Sequence, residues 1–255
     1  MEEILTPQFW TGLLTIIWVN IILSGDNAVV IALAARSLPE RQQKQAVFWG
    51  AGAAVAMRIV LTVVAVELLK LPYLKIIGGL LLFWIAVKLL LPEDGDDDVD
   101  SSDNLLQAIK TILIADLVMS LDNVIAVAAA AKGSVLLLVI GLAISIPLVI
   151  FGATMLMALM ERYPVIITLG AAILGWVAGE MTVTDPVLVG WIETNLPWMH
   201  LHLPLGLGAV SWAQIAGAIV VVVLGKWLAR RAAEAGVVEL PQHEHGQPKQ
   251  PGGLG

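Results

Sequence analysis

Apolar residues in this chain run in long blocks rather than alternating with polar ones. Seven blocks stand out, at residues 9–35, 46–69, 73–91, 105–131, 135–159, 165–181 and 210–228. An α-helix of about 20 residues crosses a hydrocarbon core of roughly 30 Å. The pattern therefore predicts an all-α membrane protein with seven transmembrane helices. A polar linker at 92–104 separates the first three blocks from the next three. A loop at 182–209 precedes the last block, and a tail at 229–255 rich in Pro, Gly, Gln and His reads as disordered. The 182–209 stretch carries Trp191 and Trp198, which suit a membrane interface.

The blocks repeat. Residues 20–36 align without gaps on residues 116–132, matching Ser24 to Ser120, Asp26 to Asp122 and Asn27 to Asn123. Further along, Pro72 aligns with Pro164, Gly78 with Gly170, Trp84 with Trp176 and Ala86 with Ala178, while Lys88 meets Glu180. Segments one to three (1–91) thus answer segments four to six (105–181), and segment seven is additional. A unit of three crossings re-enters from the opposite side, so the halves are expected to form an inverted repeat. Transporters of that design hold substrate near the midplane, at the repeat interface.

Composition agrees with the membrane class. Of 255 residues 58% are hydrophobic and only 14% charged, with a mean hydropathy of +0.88. Soluble domains carry about 25% charged residues. The net charge of −7 comes from the linker, where Glu93, Asp94, Asp96, Asp97, Asp98, Asp100 and Asp103 stand without a base. A basic footprint for nucleic acid is absent. There is no Cys, which removes thiolate ligands and thiol chemistry. The start Met1-Glu2-Glu3 has no basic region of the kind that opens a cleaved signal peptide. Arg36, Arg41, Lys44, Lys88, Lys110, Arg162, Lys226, Arg230, Arg231 and Lys249 fall on one side, against Lys70, Lys75 and Lys132 on the other. The positive-inside rule then puts the N-terminus outside and the C-terminus in the cytoplasm.

The repeated motif carries the candidate chemistry. Ionisable groups inside a bilayer cost about 2.5–3.5 kcal/mol each on insertion scales. This chain nevertheless puts Asp26, Asp116 and Asp122 there, with Asn20, Ser24, Asn27, Ser120 and Asn123. Asn20, Ser24 and Asn27 share one helical face, as do Asp116, Ser120 and Asn123. On an ideal helix Asp26 would point about 100° away from Asn27, but Gly25 allows local unwinding that lets both converge and frees carbonyls as further ligands. Carboxylates, amides, hydroxyls and carbonyls suit hard cations such as Mg²⁺, Ca²⁺ and Mn²⁺. No His or Cys lies in a segment to favour Zn²⁺ or Cu⁺. The bland reading is interhelical glue, which explains Ser and Asn well but paired aspartates poorly. Arg58, mid-segment, needs a partner among Asp26, Asp116 and Asp122. It reads equally as a tethered counter-charge or as half of a static ion pair. Glu67 and Glu180 lie near segment ends and read as residues that reach water, with gating as the alternative. The acidic linker reads as a solvated spacer, and His200/His202 and His243/His245 as incidental polar pairs.

Ser24-Gly25-Asp26-Asn27-Ala28 with Ser120-Leu121-Asp122-Asn123 resembles the TerC family of integral membrane proteins, and within it the short YjbE-type branch. The resemblance covers about residues 9–228. It implies an inverted-repeat membrane transporter linked to manganese export and tellurite resistance, with Asp26, Asn27, Asp122 and Asn123 as the acidic motif. It implies no bound cofactor; the ion, Mn²⁺ first, is substrate. The expected partners are that cation and the lipid bilayer of the cell membrane, and a homo-oligomer stays open. Two competitors stand beside export. One is a non-transporting scaffold of a metal or tellurite stress-resistance complex, docking through linker or tail. The other is a membrane-embedded enzyme, disfavoured because no nucleophile–base pair and no HExxH motif appears. Nor does a Walker A motif, so transport would be driven by an ion gradient or by the membrane potential, or run downhill.

Overall fold

In the computed structural model the chain is helical, and residues 7–68, 71–91, 101–131, 134–202 and 209–238 are described. The helices are α1 (Pro7–Leu23), α2 (Gly25–Ala35), α3 (Glu40–Leu68), α4 (Leu74–Lys88), α5 (Ser101–Ala131), α6 (Val135–Arg162), α7 (Val165–Val183), α8 (Val189–Asn195) and α9 (Trp212–Val238). Five of them, α3, α5, α6, α7 and α9, are long and apolar enough to cross a membrane, and the α1–α2 pair, bent by 48°, is a broken span or a re-entrant loop. The expected third segment is the 15-residue α4, whose length of about 22 Å is less than a full hydrocarbon core.

Each break has a local cause. α1 gives way to α2 at Ser24, immediately before Gly25; glycine costs about 1 kcal/mol relative to alanine inside a helix. Tyr73, with φ of 66°, turns the chain into α4. Ser134 caps α6 by accepting from the Leu137 N–H at 3.2 Å. Three stretches differ from the sequence expectation. α5 already begins at Ser101, inside the expected linker. α9 runs on to Val238, so residues 229–238 of the expected disordered tail are helical. A two-stranded antiparallel hairpin, β1 (His200–His202) with β2 (Ala209–Ser211), interrupts the otherwise all-helical order. A single short hairpin can satisfy its backbone locally, so hydropathy does not announce it. Residues 92–100 of the linker and 239–255 of the tail, with His243 and His245, lie outside the described residues. So do the side chains of Glu67, His200 and His202.

The packing places α2 at the centre. Every residue of α2 from Asn27 to Ala35 is buried, most of them small or β-branched. α1 and α2 pack on α6, and α3 packs on α5; α4 packs on α7, α4 also meets α5, and α7 also meets α2. α9 lies along α7. There the backbones approach closely: a Cβ added at Gly179 would fall on the Ala213 carbonyl, and one at Gly217 on the Gly175 carbonyl. Small residues at such spacing let membrane helices gain dispersion contact where no hydrophobic drive separates them from lipid. The outer surface is apolar, with Leu14 at 66%, Trp18 at 65% and Phe151 at 67% exposure. That is a lipid-facing surface for a multi-pass integral membrane protein.

Candidate functional site

Seven buried polar residues gather where α1–α2, α3 and α5 meet. Asn20, Ser24, Asn27, Arg58, Thr62, Asp116 and Ser120 are all buried. Arg58 enters from α3, which lies along α5. Its Nε donates to Ser120 Oγ at 2.9 Å, and Nη1 donates to Asn20 Oδ1 at 2.8 Å and Ser24 Oγ at 3.4 Å. Its Nη2 donates to Asp116 Oδ1 at 2.5 Å, forming a buried ion pair. Ser120 Oγ donates to Asp116 Oδ2 at 3.2 Å, and Thr62 Oγ1 donates to the Arg58 carbonyl at 2.7 Å. Arg58 is matched by one carboxylate and three neutral oxygens, which offsets the large desolvation cost of a buried charge.

Of the three acids that the sequence offers as its partner, Asp116 takes Arg58. The four groups holding the guanidinium come as repeat-equivalent pairs: Asn20 aligns with Asp116, and Ser24 with Ser120. Arg58 itself has no such equivalent.

At Ser24, the edge of this cluster, the helix breaks. Asp26 opens α2, partly exposed, and accepts from the Asn27 N–H at 2.8 Å. With that N–H diverted, the Leu23 carbonyl accepts instead from two side chains, Asn27 Nδ2 at 3.4 Å and Asn123 Nδ2 at 3.2 Å. The two asparagines of the repeated motif therefore meet at one freed carbonyl oxygen, beside Asp26. Asn27 Oδ1 and Asn20 Nδ2 are buried without a hydrogen-bond partner, which carries a penalty of about 1–3 kcal/mol each. Asp26 is close enough to interact electrostatically with both Arg58 and Asp116.

The eight predicted site residues thus divide into two adjoining groups. Asn20, Ser24, Asp116 and Ser120 surround Arg58; Asp26, Asn27 and Asn123 line the break. The eighth, Asp122, lies on α5 one residue before Asn123, and its side chain is outside the described residues. Among the described residues no three His, Cys, Asp or Glu gather closely enough to hold a metal; the described oxygens at the break are the Asp26 carboxylate, the Leu23 carbonyl and the Asn27 and Asn123 amides. Glu180 is exposed, as expected. Met119 and Met181 are buried among apolar side chains of the core, and Met57 packs on a smaller apolar cluster.

One residue escaped the sequence reading. Asp185, fully buried, accepts from the backbone N–H groups of Tyr73 at 3.2 Å, Lys75 at 3.1 Å, Ile76 at 3.3 Å and Val187 at 2.9 Å. It caps the start of α4 from the far end of α7, at the positive pole of the helix. Desolvation pushes its carboxyl up, but the four N–H donors together outweigh it and hold Asp185 below the ordinary carboxylate range. The signal was a helix start with Tyr73, not Ser, Thr, Asp or Asn, at its cap position.

Known proteins resemble this chain in sequence. The chain is 46% identical over 214 residues to the membrane protein YjbE of Bacillus subtilis, covering 82% of this chain and 98% of that protein. It is 26% identical over 190 residues to the membrane protein YceF of Bacillus subtilis, covering 70% and 74% respectively. It is 25% identical over 218 residues to the inner membrane protein YgdQ of Escherichia coli strain K12, covering 78% and 86%. No solved structure matches the chain. Residues 5–234 match the family described as "Integral membrane protein TerC family", and with nearly the whole chain inside that match, it belongs to the TerC family of integral membrane proteins.

Proposed function

We propose that this protein exports a divalent metal cation across the cell membrane, with Mn²⁺ as the first candidate. The observation that carries the reading is the meeting of the two motif asparagines at the Leu23 carbonyl beside Asp26. An unwound backbone at membrane depth is tolerable only where it faces protein or a cavity. Here it presents a carbonyl, a carboxylate and an unpartnered amide oxygen, all hard donors. Asp122, from the second copy of the motif, supplies the second carboxylate in this reading.

The inverted repeat belongs to the same proposal. Exchanging α1–α2 with α5, α3 with α6 and α4 with α7 maps the α3–α5 packing onto that of α1–α2 with α6 and the α4–α5 packing onto α2–α7, and leaves α4–α7 in place. This supports seven crossings, α4 being the counterpart of α7, with α9 as the addition. Domain limits then stay near the sequence reading, 1–91 and 105–181 as repeats and 92–104 as the linker, with the first turn of α5 reaching back into that linker to Ser101. The charge asymmetry supports an outside N-terminus and a cytoplasmic C-terminus. The relative YgdQ is an inner membrane protein by name, which favours the same membrane here.

The test is flux in proteoliposomes loaded with Mn²⁺, Ca²⁺, Mg²⁺ or Zn²⁺. Wild type is expected to move Mn²⁺, and Asp26→Asn and Asp122→Asn to insert normally and move none. Undiminished Mn²⁺ flux in both variants overturns the proposal.

A further inference from the structure

Arg58 is more than a tie between helices. Its pocket of one carboxylate, one amide oxygen and two hydroxyls is the donor set that a hard cation takes. The donors are repeat-related pairs, while the guanidinium between them belongs to one half only. A static tie of this kind is replaceable by apolar residues of similar volume, often without loss of stability. The network is also incomplete: Asn20, 1% exposed, points an amide nitrogen at no acceptor while its oxygen takes bonds from both Ser24 and Arg58. On the other side of Ser24, Asn27 Oδ1 is equally unpartnered. Two orphaned amides flank the helix break, so the polar centre is unsatisfied where the backbone changes direction.

We propose that Arg58 is a tethered exchange cation. Its guanidinium holds the Asn20–Ser24–Asp116–Ser120 pocket while the transported ion is absent, and withdraws when that ion moves from the Asp26 side into the pocket. The inference rests on the cation reading of the site and adds the internal competitor. A competitor on a tether keeps Asp116 paired in the empty state and lowers apparent affinity by the fraction of time it occupies the pocket.

Two measurements test it. The first is Mn²⁺ flux by Arg58→Met/Asp116→Leu in proteoliposomes. The double variant keeps the volume, removes both charges, and is expected to melt within about 5 °C of wild type. Its flux is expected to fall at least about tenfold; flux within about twofold of wild type makes the pair static and overturns the proposal. The second reads binding without transport. Arg58→Met leaves the pocket to the ion, so Mn²⁺ should raise its melting temperature more than it raises that of wild type. An equal or smaller rise overturns the proposal. Should Arg58→Met not fold, Arg58→Lys, which keeps the charge but cannot span all four oxygens, takes its place with the same expectation. If Asp26→Asn is inactive while Arg58→Met/Asp116→Leu is active, this proposal falls alone. If Mn²⁺, Ca²⁺ and Mg²⁺ neither move through nor stabilise wild type, the cation reading falls and takes this proposal with it.

Discussion

The two copies of Ser-x-Asp-Asn fold differently. In the first copy the helix stops at Ser24 and restarts at Gly25; in the second, α5 passes unbroken through Ser120, Leu121 and Asn123. The residue between serine and aspartate differs, glycine in one and leucine in the other. A Cβ at Gly25 meets nothing within 4 Å, so packing does not demand the glycine. Leu121 is buried in the core. One copy thus trades helix propensity for a freed carbonyl, and the other keeps a continuous helix that buries its leucine and delivers Asn123 to that carbonyl. Near-symmetric sequences produce an asymmetric centre through one side chain, and Arg58 adds a second asymmetry beside it.

The comparison can be broken at several depths. The largest effect is expected from the carboxylate at the break: Asp26→Asn should lower Mn²⁺ flux by at least about 100-fold, equivalent to about 2.7 kcal/mol, measured in proteoliposomes beside wild type. Gly25→Leu, which makes the first copy like the second, should restore helix propensity by about 1 kcal/mol. It should also remove the freed carbonyl, so melting temperature rises or holds while flux falls by about tenfold. A flux unchanged by Gly25→Leu would mean that the break is incidental. Asn27→Ala and Asn123→Ala each remove one bond to the Leu23 carbonyl. Asn27→Ala should cost more flux, because it also deletes the unpartnered oxygen, and parallel dose–response curves for Mn²⁺ would show the difference.

Smaller effects are expected away from the motif. Asp185→Asn should lower stability by about 2 kcal/mol, since hydrogen bonds to a charged group contribute ~1.5–3 kcal/mol each and water recovers part of that. The sign with pH follows from its depressed pKa. The contribution is complete above the ordinary 3.8 and is lost as pH falls through the lower folded value. The melting gap between wild type and Asp185→Asn should therefore stay constant at neutral pH and close in strong acid. Flux per folded molecule at pH 7 should remain near wild type, because the bonds of Asp185 go to the backbone of Tyr73, Lys75, Ile76 and Val187.

Several features were legible beforehand because they are local. Hydropathy blocks located α3, α5, α6, α7 and α9 and the α1–α2 pair to within a few residues at most ends. Unwinding at Gly25 was expected from glycine before an intramembrane aspartate, and the break falls one residue earlier, at Ser24, with Gly25 opening α2. The close seam of Gly175 and Gly179 with Gly217 was not read from the sequence; it emerged only once α9 lay on α7.

Other features depend on distances between helices. Asp26, Asp116 and Asp122 are chemically alike, and only the seating of α3 along α5 selects Asp116 for Arg58. Asp185 reads as an ordinary loop acid, and its partners at Lys75 and Ile76 lie 110 and 109 residues away. What the order of amino acids determined by itself was membrane residence, the approximate helices and the doubled polar motif, because burial in lipid and helix propensity act on each segment separately. What the tertiary structure alone decided was which charge pairs with which, and that both motif asparagines share one carbonyl. Hydrogen bonds and ion pairs act over a few ångströms, and those ångströms are set by packing between segments far apart in the chain.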